Sequence, residues 1–231
     1  MENKKSANRI WELDFLRGIA LLLMIYFHVI YDLKDMWDYP VSYSSGINYY
    51  IGKLSAILFM IISGISCSLS RSNLKRGLKV FGIAMAITIV THLYGSEFGI
   101  KFGILHFLGI CMMMYPLFGK LKWYLLVLLG TAMIIAGLLL DGVSVNFDFL
   151  FPIGITSPNF SSSDYYPLLP WMGVFLYGNA LAKILYAKKT SLFRFSIKPN
   201  IISWLGRNTL LIYVVHQPVI IAVIYIIRAV F

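Results

Sequence analysis

The chain has 231 residues, of which 59% are hydrophobic and 13% are charged. Water-soluble domains are about 45–50% apolar and about 25% charged, so this composition excludes a soluble enzyme fold and a disordered chain. The formal charge is +10, but basic residues collect in the cytoplasmic loops of membrane proteins, so we expect no nucleic-acid partner. An outer-membrane barrel is excluded because its short alternating segments are absent.

Long apolar runs predict helices that can cross a bilayer, which takes about 20 residues per span. We predict an all-α integral membrane protein, a polytopic helical bundle with about seven transmembrane helices in a single domain over residues 1–231. The first apolar run lacks a signal cleavage site and is expected to remain as a span. The predicted spans are residues 14–33, 47–69, 77–94, 102–118, 122–140, 167–187 and 203–228.

The distribution of Lys and Arg predicts the orientation. If the chain crosses the membrane seven times, 15 of these 20 residues lie in segments on one side. The segments are residues 1–9, 70–79, 119–122 and 183–207. Positive residues mark the cytoplasmic side, so we expect a cytoplasmic N-terminus, an external C-terminus and a multi-pass protein of the cell membrane. Cys67 and Cys111 lie inside apolar runs without metal-ligand spacing, so neither a disulfide nor a metal site is expected.

The first predicted helix carries four ionisable residues on one face. At about 100° per residue, these side chains fall in a stripe about 60° wide, formed by Asp14, Arg17, His28 and Asp32. Such residues face a bundle interior or a wet cavity. Asp32 lies one turn after His28, so it is expected to accept a hydrogen bond from one ring nitrogen and leave the other as a general base. A local Asp14–Arg17 ion pair and a merely satisfied histidine are the alternatives.

Further polar residues are predicted on the external side. His106 lies early in the fourth predicted helix, where it could also serve only as an interhelical hydrogen-bond partner. His216 lies past the middle of the seventh, beside a kink expected at Pro218 that could be merely structural. The external loop of residues 141–166 contains Asp164 and Tyr165 but no Lys or Arg, which favours a neutral or cationic ligand. Arg17 and His28 are eleven residues apart, about 16 Å along a helix, and an extended pantetheine arm has about this reach.

Five segments resemble the bacterial heparan-alpha-glucosaminide N-acetyltransferase-like catalytic domain family, and together they cover nearly the whole chain. The first and last are the most specific. In the eukaryotic lysosomal enzyme of this family, an Asn aligns with His28 and the catalytic His lies in the following loop, which has no His here. The segments are DFLRGIALLLMIYFHVIYDL (14–33), FMIISGIS (59–66), FGILHFLGI (102–110), DYYPLLPWMGVFLYG (164–178) and WLGRNTLLIYVVHQPVI (204–220).

The resemblance implies a transmembrane acyltransferase that moves acetyl from cytosolic acetyl-CoA to an amino or hydroxyl group of an external sugar or glycan. Arg17 and His28 then belong to the core motif, and His216 with Gln217 to the terminal one. We expect His28, oriented by Asp32, to be the base, with His106 or His216 assisting at the thioester; an acetyl-histidine intermediate stays open. The other expected site residues are Arg17, Arg71, Arg76 and Arg207 for the acetyl-CoA phosphates, and Asp164, Tyr165 and Gln217 for the acceptor.

Two other functions remain open at this stage. A proton-coupled transporter or flippase would use the same buried charges, although transporters usually show two repeats with broken helices. A non-catalytic scaffold or degenerate enzyme is the second of these hypotheses. Because about seven spans are few for this kind of enzyme, a second protomer could complete the cavity as a homo-oligomer in the lipid bilayer.

Overall fold

The structure, a computed structural model, describes residues 9–197 and 200–230. The basic residues Lys4, Lys5 and Lys198, which contributed to the predicted orientation, lie outside these ranges. Within them the chain is helical and no strand is formed. The helices are α1 (Trp11–Asp35), α2 (Gly46–Leu69), α3 (Asn73–Tyr94), α4 (Ile104–Phe118), α5 (Trp123–Leu140), α6 (Leu168–Leu185), α7 (Ile201–Arg207) and α8 (Thr209–Val230).

Six of the described helices are long and apolar enough to cross a membrane: α1, α2, α3, α5, α6 and α8. This confirms a polytopic helical membrane protein. The fourth predicted span is shorter than the others, because α4 has only 15 residues. At 1.5 Å per residue it measures about 22 Å, less than the roughly 30 Å of a hydrocarbon core.

The seventh predicted span is divided into α7 and α8 by Asn208. Its side-chain amide donates to the Trp204 carbonyl at 2.9 Å, and its backbone adopts φ −104° and ψ 16°. Asn side chains compete with backbone hydrogen bonds in this way, which explains why the helix stops. Asn200 caps the start of α7 by accepting from the Ser203 amide at 2.9 Å. The apolar periodicity alone predicts one continuous helix.

The chain divides into two compact units. The first comprises the described residues of 1–62 and 188–231, where α1 packs against α7 and α8. Gly18 and Gly206 allow a close approach, because a Cβ on Gly18 would lie 2.1 Å from the Ile202 carbonyl oxygen. From α2, the Ser55 hydroxyl donates to the Ala20 carbonyl at 2.9 Å in the buried interior.

A segment before α7 is held against the start of α1. The buried carboxylate of Glu12 accepts from the Ser191 hydroxyl at 2.9 Å and from the Leu192 amide at 2.8 Å. The Trp11 indole donates to the Phe195 carbonyl at 3.1 Å. These contacts fix residues 191–195 to the end of α1 that precedes Arg17.

The second unit, residues 63–187, contains two antiparallel helix pairs, α3 with α4 and α5 with α6. Both pairs cross at glycines. A Cβ on Gly77 would lie 2.7 Å from the Gly109 carbonyl oxygen, and one on Gly173 would lie 2.4 Å from the Gly130 carbonyl oxygen. Small residues at such crossings permit the backbone contact that drives helix association in lipid.

Candidate active site

In the first unit, His28 is oriented by the main chain. Its Nδ1 lies 2.9 Å from the Met24 carbonyl oxygen, one turn earlier in α1. A carbonyl can only accept, so Nδ1 carries the proton and the neutral ring presents a basic lone pair at Nε2. The predicted His28–Asp32 hydrogen bond is therefore wrong. Helical side chains lean toward the N-terminus, which brings this ring onto the preceding turn.

Asp32 instead pairs with α8. Its Oδ1 accepts from Gln217 Nε2 at 2.7 Å, and its side chain is almost fully buried, with 1% of the residue exposed. Asp32, which was predicted to be catalytic, and Gln217, which was predicted to bind the acceptor, are therefore in direct contact. A hydrogen bond to a charged acceptor is worth about 1.5–3 kcal/mol, so this bond joins α1 and α8 firmly.

His216 lies against His28. The two ring centroids are 4.7 Å apart and the rings meet edge to face at 85°. The Nδ1 of His216 donates to the Tyr213 carbonyl, so this ring also presents Nε2 as an acceptor. The structure therefore brings two imidazoles with the same tautomer side by side.

Three buried acceptor atoms of these side chains have no hydrogen-bond partner among the described residues. They are Asp32 Oδ2, Gln217 Oε1 and His216 Nε2. Leaving a buried polar group unpaired costs about 1–3 kcal/mol, so such atoms in a native structure call for a partner that donates hydrogen bonds. We call Asp32, His28, His216 and Gln217 the histidine cluster.

Arg17 and Arg207, the predicted phosphate ligands of the first unit, lie toward the opposite end of α1 from His28. Arg17 donates to Asp14 Oδ1 at 2.8 Å and forms the local ion pair that spacing allowed. A Cβ on Gly206 would lie 1.7 Å from the Asp14 carbonyl oxygen, so α7 contacts α1 at this turn. Arg207 follows Gly206 directly and is exposed. The two predicted acetyl-CoA arginines of this unit therefore flank one helix crossing.

A shallow groove runs along α7 beside this crossing. It has a volume of about 510 Å³ and is mostly apolar. The Trp204 ring, half of which is exposed, forms one part of its wall. The groove is lined by Asn200, Ile201, Trp204 and Arg207.

His106, in the second unit, has both ring nitrogens engaged. Its Nδ1 accepts from the Gly103 amide at 3.2 Å, so Nε2 carries the proton and faces the Thr88 hydroxyl at 3.1 Å. That hydroxyl donates onward to the Ile100 carbonyl at 2.7 Å. A ring held in this way orders the segment before α4 and presents no lone pair to a substrate.

The predicted acceptor residues Asp164 and Tyr165 belong to the same part of the second unit. Asp164 Oδ2 accepts from the Ile104 amide at 2.9 Å, and burial raises the pKa of this carboxyl to about 6 although that hydrogen bond opposes the shift. The Tyr165 hydroxyl donates to the Phe151 carbonyl at 2.6 Å. Asp164 therefore caps the start of α4.

Arg71 and Arg76, the other predicted phosphate ligands, lie at the start of α3 in the second unit. Arg71 is exposed and Arg76 is half-buried. A helix N-terminus carries partial positive charge, which adds to these side chains. This location is compatible with an anionic ligand.

Sequence reasoning missed the carbonyl groups of Met24 and Tyr213. Main-chain groups carry no residue-type signal, but the carbonyl about one turn before a helical histidine is a possible hydrogen-bond acceptor for its Nδ1, and its position follows from the sequence. Trp204 was also missed, because its exposure and its place on a separate short helix are visible only in the structure.

The family model described as heparan-alpha-glucosaminide N-acetyltransferase, catalytic, matches residues 9–218. This span includes the whole histidine cluster and all the arginines discussed above. No curated protein matches the chain, and no solved structure does.

Proposed function

The chain belongs to the heparan-alpha-glucosaminide N-acetyltransferase catalytic family, and on this basis we propose that it acetylates an external amino sugar with acetyl from cytosolic acetyl-CoA. The family match and the six candidate spans identify a multi-pass membrane protein of an acetyltransferase family. The donor, the acceptor and the roles of the histidines are the proposal, as is location in the cell membrane.

The histidine cluster is the observation that supports the proposal most directly. Its three unpaired atoms are all acceptors, and one belongs to a carboxylate. A primary amine, which arrives as an ammonium group, supplies several donors and a positive charge, whereas a hydroxyl supplies a single donor. The cluster therefore favours N-acetylation over O-acetylation.

The helix α1 provides the separation between donor and acceptor. It is continuous from Arg17 to His28, so these residues lie about 16 Å apart along its axis. By the predicted orientation, Arg17 is near the cytoplasmic side and His28 in the outer half of the membrane. A thioester at the end of a pantetheine arm could then reach the cluster while its phosphates stay at the arginines.

Acetyl-CoA would bind through arginine side chains and the groove along α7. Arg207 and the Trp204 ring lie in that groove, and together they offer a phosphate ligand and a stacking surface for the nucleotide. Arg17 lies at the same helix crossing. In the second unit, the roles of Arg71 and Arg76 as phosphate ligands and of Asp164 and Tyr165 as contacts of the acceptor stay predictions from the sequence.

The proposed reaction uses His28 as base. The acceptor ammonium loses a proton to Nε2, the amine nitrogen forms a bond to the acetyl carbonyl carbon, and the carbon–sulfur bond breaks. The second nitrogen proton passes to His216 Nε2 as the amide forms, and His216, whose ring meets that of His28 edge to face, gives this proton to the leaving thiolate, while the proton taken up by His28 is released. One proton is released overall and CoA departs as the thiol. His106 is assigned to positioning because both its nitrogens are engaged.

Acetyl transfer to glucosamine by the purified protein in vesicles tests the proposal. His28→Ala should lower kcat at least about 100-fold, since a general base contributes 10²–10⁴. His92→Ala is the matched control, because this exposed histidine bonds the Thr88 carbonyl with the same geometry but lies outside the cluster. Wild-type turnover in His28→Ala would remove this residue from the mechanism.

Donor binding is tested separately by thermal unfolding. Acetyl-CoA at about 100 times its Kd should add about 2.7 kcal/mol to the free energy of unfolding. Arg17→Ala and Arg207→Ala should reduce the shift. Uptake of glucosamine into vesicles without release of CoA would instead support the transporter.

A further inference from the structure

The segment between α6 and α7 presents basic side chains next to exposed aromatic ones. In the first unit, Phe193 is 47% exposed and Phe195 is 61% exposed. Large apolar residues that lie together on a surface mark a place where a membrane or another protein binds. We call residues 188–197 the basic aromatic segment. Its exposed basic residues are Lys188, Lys189 and Arg194.

The basic aromatic segment is held in place by α1. The Phe193 and Phe195 rings pack on the Trp11 ring with centroids 5.6 and 5.8 Å away, and their own centroids are 5.3 Å apart. The hydrogen bond from the Leu192 amide to Glu12 fixes the backbone beside these rings at 2.8 Å. A surface fixed in this way loses little conformational entropy when a ligand binds.

The position of the segment on α1 brings it to the boundary between lipid and water. Trp11 is the first residue of α1, a helix long and apolar enough to cross a membrane. Aromatic residues are enriched at this boundary, where their rings lie at the level of the headgroups. The chains of Lys and Arg reach from the same depth toward the phosphates.

The exposed charge at this end of the first unit is positive. Glu12 and Asp14, the carboxylates nearest to the segment, are both buried and are engaged by the segment itself and by Arg17. Arg9, just before α1, adds an exposed cation. This charge complements an anionic surface. The other acidic residues described in this unit lie at the far end of α1 or just after it, and they are Asp32, Asp35 and Asp38.

We propose that the basic aromatic segment binds the headgroups of anionic phospholipids in the leaflet on its side of the membrane. Arg194, between the two phenylalanines in the sequence, donates to a headgroup phosphate, and Lys188 and Lys189 add attraction to neighbouring headgroups. The aromatic rings favour a lipid over a soluble anion, because only a lipid brings acyl chains beside the phosphate. None of these residues belongs to the histidine cluster or lines the groove along α7.

Thermal unfolding of the full-length protein in a neutral detergent tests the inference. Phosphatidylglycerol is added in steps, with phosphatidylcholine of the same acyl chains in a parallel series. We expect phosphatidylglycerol to raise Tm and phosphatidylcholine to leave it unchanged, because a ligand that binds only the folded state stabilises it. Glycerol phosphate, the headgroup without acyl chains, should also leave Tm unchanged.

The variant that removes the charge is Lys188→Gln/Lys189→Gln/Arg194→Gln. Each basic residue near an anionic surface strengthens binding about fivefold, so the triple variant should need about 100 times more phosphatidylglycerol for the same shift. If its Tm without lipid is lowered, Arg194→Gln alone replaces it and should need about five times more. The matched control, Lys75→Gln/Lys79→Gln/Lys120→Gln, removes the same charge from exposed lysines of the second unit and should respond like wild type.

Three results would overturn the proposal. Equal shifts with phosphatidylglycerol and phosphatidylcholine would show that the headgroup charge is not recognised. An equal shift with glycerol phosphate would show a site for a soluble anion. A triple variant that responds like wild type, or like the matched control, would show that the basic aromatic segment is not where the lipid binds.

Discussion

Gly206→Ala would place a methyl group inside the contact between α7 and α1. The new Cβ would lie 1.7 Å from the Asp14 carbonyl oxygen and 3.0 Å from the Gly18 nitrogen. Carbon and oxygen approach to about 3.3 Å at closest in such helix contacts, so the two backbones must separate by about 1.6 Å. Neither backbone can turn aside as a flexible side chain would.

The expected loss of stability follows from two opposing effects. Overpacking of this kind costs about 1–3 kcal/mol, and Ala in place of Gly inside a helix regains about 0.5–1 kcal/mol. A net loss of about 1–2 kcal/mol corresponds to a fall in Tm of roughly 2–8 °C for a chain of this size. The displacement of α7 also moves Arg207 away from the Arg17 turn, so stabilisation by acetyl-CoA should weaken.

Thermal unfolding of the detergent-purified protein measures both effects. Gly82→Ala is the matched control, because Gly82 lies on the exposed face of α3 and a Cβ there meets nothing within 4 Å. It should leave Tm unchanged or raise it slightly. A Tm for Gly206→Ala equal to that of Gly82→Ala would refute the close crossing of α1 and α7.

Three further predictions concern buried polar contacts. The folded protein holds a proton on Asp164 up to about pH 6, whereas the unfolded chain loses it near pH 4, so the free energy of unfolding falls as pH rises between these values. Asp164→Asn should flatten this part of a plot of Tm against pH. An unchanged slope would contradict the prediction. Glu12→Ala leaves the Ser191 hydroxyl and the Leu192 amide without their acceptor, so trypsin should cut this segment several-fold faster than in wild type, and equal rates would argue against the anchoring role. Gln217→Leu removes the donor to the buried Asp32 carboxylate and should cost about 1.5–3 kcal/mol in unfolding experiments, whereas Gln217→Asn with wild-type stability would show that the contact tolerates a shorter amide.

The spans and the polar stripe of α1 could be predicted from the sequence. Hydropathy depends on composition within one segment, and the helical period fixes which residues share a face, so both are local properties. The same locality limited the prediction at Asn208, where a single side chain competes with the backbone and divides the last predicted span.

The partners within the candidate site depended on the tertiary structure. Asp32 bonds a residue 185 positions away, although a histidine one turn distant was the local expectation. The edge contact of His28 with His216 likewise joins the first and last long helices. No residue pattern reports the packing of α8 against α1, which creates these pairs.

The sequence by itself determined that this is a helical membrane protein and that Arg17, His28 and Asp32 share one face of its first helix. The tertiary structure decided what those side chains contact: the Met24 carbonyl for His28, Gln217 for Asp32, and the α7 crossing beside Arg17. The physical reason is that periodicity fixes directions along one helix, whereas hydrogen-bond partners depend on how distant helices pack, and the glycines at their crossings set that packing.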